Sequence, residues 1–159
     1  MNLSTPPPDK LSDVVELAIA DARKLDRNHY AAAWDKWHQI DPGNGKCMVC
    51  LAGAVIAGTL GCARGTHIDI ATSDMAEPDS TIITNEQWRN ALWALDSARE
   101  GNWTDAYRAL HNVRPDYDLD DALEKLPPPE RVEFESWNEL TIHLDSLASR
   151  ADDLRKLGL

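Results

Sequence analysis

Basic residues, cysteines and long apolar runs are all scarce in this sequence, and each scarcity removes a class of function. Lysine and arginine number 16 against 27 aspartates and glutamates, a formal charge of −11. Such a field repels nucleic acid and anionic lipid, so direct nucleic-acid binding is not expected, and it favours partners with a basic surface. The longest apolar run, Met48 to Leu60, covers about 13 residues broken by Gly and Thr, short of the roughly 20 that a membrane span needs. It reads as a buried core helix. The N-terminus lacks a charged segment followed by an apolar one, so no secretory signal is expected. Only three cysteines are present, an odd number, which points to reduced thiols in a cytoplasm rather than a disulfide framework. Glycine-rich phosphate loops, a hydrolase elbow and basic patches interleaved with aromatics are missing too, and no cofactor is expected.

What is present is a chain of 159 residues, the size of one ordinary domain, with 43% hydrophobic residues, enough to build a core. The leader "STPPPD" should be extended and loosely held, because proline donates no hydrogen bond and restricts its predecessor. Leu11, Val14, Val15, Ala18, Ala22 and Leu25 then recur at three and four, one helical stripe with Asp13, Glu16, Asp21 and Arg23 turned outward. "NHYAAAWDKWHQI" is ambiguous; its alanines favour helix, with Trp34 and Trp37 on one face. "DPGNG" must turn. A helix is expected from about Cys47 to Leu60, where Gly53 with Ala57, or Ala54 with Gly58, lets a second helix approach closely. "THIDIAT" and "STIIT" form at most one marginal two-stranded pairing.

Further on, Thr84 with Gln87 offers a capping box for a helix burying Trp88, Ala91, Leu92, Leu95 and Ala98. Thr104 caps "DAYRALHNV", which Pro115 stops. "LDDALEKL" makes a short helix before the stiff "PPP" at 127–129. Ser136 and Glu139 form another capping box. In the helix that follows, Trp137, Leu140, Leu144, Leu147, Ala151 and Leu154 make a heptad seam. In a chain of this size the seam suits core packing, and it also offers a homodimer interface. The expectation is a mainly α protein: a flexible leader over residues 1–10, then a single compact domain of five to seven helices over 11–159, whose acidic C-terminal part, 116–159, follows Pro115.

The cysteines admit three readings. Cys47, Cys50, Cys62 and His67 have the look of a zinc quartet, but on one helix Cys50 and Cys62 stand about 18 Å apart, too far to share an ion. No metal is expected. At a helix N-terminus, Cys47 and Cys50 would be favoured as thiolates, with Lys46 assisting and His38 as a base, which is the setting for a thiol enzyme or redox protein. Against this, a redox Cys-x-x-Cys belongs after a buried strand, and strands are not evident here. The plainest reading takes both as small buried hydrophobes in the core.

The segment "WDKWHQIDPGNGKCMVCLAGAVIA", Trp34 to Ala57, resembles a pattern in small uncharacterised proteins of tailed bacteriophages and prophages. There a Trp-His pair precedes a short Gly/Asn-rich turn and then Cys-x-(Val)-Cys-(Leu/Phe)-Ala-Gly-Ala-Val-(Ile/Met)-Ala. The resemblance implies a setting, the cytoplasm of an infected bacterium, and carries over no catalytic residue.

Charge supplies the functional expectation. From Asp116 to Asp153 there are 12 acids against 3 bases, so −9 of the total lies there. Clustered carboxylates fit grooves built for phosphates. The expected function is therefore non-enzymatic: a phage accessory protein acting by protein–protein interaction, an inhibitor of a host defence or nucleic-acid-handling protein. Asp116, Asp118, Asp120, Asp121 and Glu124 are the expected binding residues.

Overall fold

The computed structural model of the chain describes residues 6–33, 39–41, 43–59, 85–112 and 133–159. Five helices carry most of it: α1 (Leu11–Arg23), α2 (Leu51–Thr59), α3 (Glu86–Arg99), α4 (Trp103–His111) and α5 (Trp137–Lys156). The described residues also form three short strands: β1 (Tyr30–Ala32), β2 (Gln39–Ile40) and β3 (Cys47–Val49). The protein is mainly α, as its composition and periodicity imply.

Helix α1 is the hub and touches each of the other four helices. Its stripe of Leu11, Val14, Val15, Ala18 and Ala22 is buried, together with Ile19 and the following Leu25. Asp13, Glu16 and Arg23 are exposed, but Asp21 is buried. Helical geometry explains this departure: Asp21 stands three residues after Ala18 and four before Leu25, so it lies on the apolar stripe itself. Helix α2 makes room for it. A Cβ built on Gly58 would lie 2.5 Å from the Asp21 Cγ, so the bare glycine is what lets α1 and α2 approach so closely.

The larger correction lies in the segment around the cysteines. Cys47–Val49 is the central strand of a sheet ordered β1-β3-β2, not the first turn of a helix. It runs parallel to β1, with Tyr30, Ala31 and Ala32 opposite Cys47, Met48 and Val49. It runs antiparallel to β2, with Gln39 opposite Met48 and Ile40 opposite Cys47. Helix propensity in Ala31 and Ala32 yields to tertiary pairing here. The Cys47 amide donates to the His29 carbonyl at 2.8 Å, and the Ala33 amide to that of Val49 at 3.0 Å. Side chains alternate as strands require: Tyr30, Ala32, Cys47 and Val49 are buried, while Ala31 and Met48 are half-exposed. Helix α2 starts only after Cys50, whose carbonyl accepts from the Ala54 amide at 2.8 Å.

Helices α3 and α4 pack against each other across a tight corner at Gly101, whose φ of 71° suits glycine. Their caps are asparagines and not the expected threonines. Asn85 accepts from the Trp88 amide, and Asn102 from that of Asp105 while donating to the Asp105 carboxylate at 2.7 Å. Ser136 caps α5 as expected, accepting from the Glu139 amide at 3.2 Å. Helix α4 ends at Asn112, which adopts the left-handed conformation.

Helix α5 lies along α1. Leu140, Leu144, Leu147, Ala151 and Leu154 are all buried within the single chain, and Trp137 is half-buried under the guanidinium of Arg27 at 5.0 Å. The seam is thus spent inside the monomer. In the second half of the leader, Pro7 and Pro8 are half-buried, beside Gln87, Leu110 and His111. The expected strands at 66–84 and the short helix at 119–126 lie outside the described residues.

Candidate functional site

Cys50 occupies the single residue between the end of β3 and the start of α2. Its sulfur faces the amides of Ala52 and Gly53 in the first turn of that helix. A helix N-terminus favours a thiolate, yet Cys50 is only 3% exposed. Burial dominates and pushes its pKa from 9.0 up to about 11, against the Gly53 amide, the Arg99 charge and the Ala52 amide, which pull it down; Asp96 adds to the rise. Cys47 lies within β3, four residues before the first residue of α2, and it too is buried. Neither cysteine is in a disulfide.

The expected thiol site is therefore not assembled as the spacing implies. Lys46 belongs to the β2–β3 turn, where its amide donates to Asn44 Oδ1 at 2.9 Å and its carbonyl accepts from the Asp41 amide at 2.8 Å. The cation that acts on Cys50 is Arg99, from α3. His38, Cys62 and His67 lie outside the described residues. Among the described residues no group of three or more histidine, cysteine, aspartate and glutamate side chains is close enough to hold a metal ion.

Three polar features of the packed helices were not foreseen. Arg99 pairs with Asp96 at 2.8 Å on α3, with the two side chains 11% and 24% exposed. The signal was present, an acid three residues before a base on one helix. Asp21 sits against Gly58 between α1 and α2. His143 is buried on α5, its ring 5.4 Å from that of Phe134. It stands beside Leu144 and four residues before Leu147, inside the apolar seam.

The acidic surface is the second candidate. Asp116, Asp118, Asp120, Asp121 and Glu124 lie outside the described residues. Of the acidic stretch, the described residues border or lie on α5, and among them Glu135, Glu139, Asp145 and Asp152 are exposed. Part of that charge is answered within the chain. Asp145 pairs with Arg23 at 3.5 Å, and Asp153 with Arg150 at 3.4 Å. Arg155 reaches Glu16 at 2.7 Å, Asp152 at 3.1 Å and Asp13 at 4.0 Å, tying the end of α5 to α1. The Glu16 carboxylate, before the others, holds that guanidinium protonated above its ordinary range. No helix among the described residues is long and apolar enough to cross a membrane. Comparisons with protein-family models, with curated proteins and with solved structures found no match.

Proposed function

We propose that the protein is a non-enzymatic accessory protein of a tailed bacteriophage or prophage, working in the cytoplasm of the infected bacterium by binding another protein. Its acidic surface engages a basic groove on a host protein of defence or nucleic-acid handling, and thereby inhibits it. The observation that carries this reading is the placement of −9 of the total charge of −11 between Asp116 and Asp153. Carboxylates grouped in this way present to lysines and arginines the same sign of charge as a phosphate backbone does. The buried, neutral thiol of Cys50 weighs on the same side, because nucleophilic and redox chemistry need an accessible thiolate.

The test is capture of the tagged protein's partner from a bacterial lysate at low and at high salt. A variant with Asp116, Asp118, Asp120, Asp121 and Glu124 all replaced by lysine is carried in parallel. A basic partner retained at low salt, released at high salt and lost by the variant is the expected result. Retention that ignores both salt and charge reversal would remove the acidic surface from the interaction.

A further inference from the structure

Of the chain's eight asparagines, only Asn44 is followed by glycine. Asn44 and Gly45 form the exposed tip of the turn between β2 and β3. The turn is held by four short hydrogen bonds. The Gly43 amide donates to Asp41 Oδ1 at 2.8 Å and the Gly45 amide to the Asp41 carbonyl at 2.8 Å. The Asp41 amide donates to the Lys46 carbonyl at 2.8 Å, and the Lys46 amide to Asn44 Oδ1 at 2.9 Å. We propose that Asn44 is a spontaneous deamidation site, through which this turn acquires an aspartyl or isoaspartyl residue.

The chemistry needs only water. Hydroxide removes the proton of the Gly45 amide, and the nitrogen adds to Asn44 Cγ. The Cγ–Nδ2 bond then breaks, and the amide nitrogen leaves as ammonia with a proton from water. The resulting cyclic imide takes up one water. Opening at Cγ restores the Gly45 link to the backbone carbonyl and leaves aspartate; opening at the backbone carbonyl leaves isoaspartate. One water enters, one ammonia departs, and nothing is oxidised or reduced.

Geometry singles out this asparagine beyond its sequence. When the Gly45 nitrogen adds, negative charge develops on Oδ1, and the Lys46 N–H already points at that oxygen from 2.9 Å. Glycine puts no Cβ in the path of the attack, and Gly45 has open space around it, with nothing within 4 Å of where a Cβ would lie. The opposing factor is the bond from the Gly45 amide to the Asp41 carbonyl, which has to open first. Only the two-residue β2 anchors that side of the turn, so opening is local and inexpensive. The other asparagines among the described residues are held differently. Asn85 and Asn102 are locked as helix caps, Asn90 and Asn138 lie in helical backbone, and Asn28 and Asn112 precede the bulkier His29 and Val113. An isoaspartyl residue lengthens the main chain within the turn and displaces Gly45 and Lys46 from Asp41, so the altered turn pins β2 to β3 less firmly.

The experiment is incubation of the folded chain at mildly alkaline pH and physiological temperature, followed by trypsin digestion. Cleavage after Lys36 and Lys46 isolates the peptide 37–46, whose mass and chromatographic isomers are followed with time. The amide-to-acid mass gain should accumulate in 37–46 before any other asparagine-bearing peptide, with isoaspartate as the larger product, and the synthetic peptide should react faster than the folded chain. Asn44→Gln should abolish the gain. Retention of the Asn44 amide in the folded chain while the free peptide converts in the same buffer, or earlier conversion at another asparagine, would overturn the proposal.

Discussion

At Cys50 two effects act on one sulfur in opposite directions, and their balance can be measured. The N-terminus of α2 and the charge of Arg99 favour the thiolate, but burial outweighs them and holds the pKa at about 11 instead of 9.0. Below pH 9 the thiol is neutral in both folded and unfolded chains and costs nothing. Between those two values the unfolded chain ionises while the folded chain does not, so stability falls as pH rises. The loss from this group is about 2–3 kcal/mol once pH passes the folded value. Urea denaturation at pH 8 and at pH 11 should show a steeper loss for the native chain than for Cys50→Ala. Equal losses would acquit Cys50. At neutral pH both Cys47 and Cys50 should label slowly with a thiol reagent in the folded chain and rapidly in urea. Fast labelling of the folded chain would restore the thiol-enzyme reading.

Among the elements, the close approach of α1 and α2 depends on one missing methyl group. A Cβ on Gly58 would fall 2.5 Å from the Cγ and 2.9 Å from the Cβ of Asp21. Gly58→Ala should therefore destabilise the fold by about 1–3 kcal/mol, despite alanine's better helix propensity. In a double-mutant cycle with Asp21→Ala, measured by urea denaturation, the two costs should sum to more than the double variant loses. Strict additivity would show that the new methyl meets something other than Asp21. The helices themselves were legible because their stripes recur at three and four and tolerate small errors at the ends: α1 and α5 follow their apolar residues closely. Caps were less so, since Thr84 and Asn85 are both good caps and local sequence does not choose between neighbours. The β1–β3 pairing was hidden for a different reason. Tyr30–Ala32 and Cys47–Val49 become strands only by pairing with each other across residues 33–46, and alanine's local preference points the other way. That pairing moves Cys47 out of the helix, so the expectation of two thiols at one helix N-terminus failed with it.

For the whole molecule, the described residues bear on the oligomeric state through the α5 seam. The heptad spacing of α5 suits either a core or a coiled-coil partner, and sequence periodicity is the same for both. Packing resolves it: Leu140, Leu144, Leu147, Ala151 and Leu154 are each no more than 4% exposed in the lone chain, turned toward α1 and its neighbours. The outward side of α5 carries Glu139, Asp145 and Asp152, and two such acidic faces repel each other. Light scattering should accordingly return the mass of one chain across a wide range of concentrations. Because unfolding then involves no dissociation, the denaturation midpoint should not move with protein concentration. Leu154→Ala should lower stability by about 2–5 kcal/mol, and by the same amount in dilute and concentrated samples, since the cavity opens inside one molecule. A midpoint that climbs with concentration, or a Leu154→Ala cost that shrinks as the sample is diluted, would place the seam between two copies and return α5 to the role its heptads first suggest.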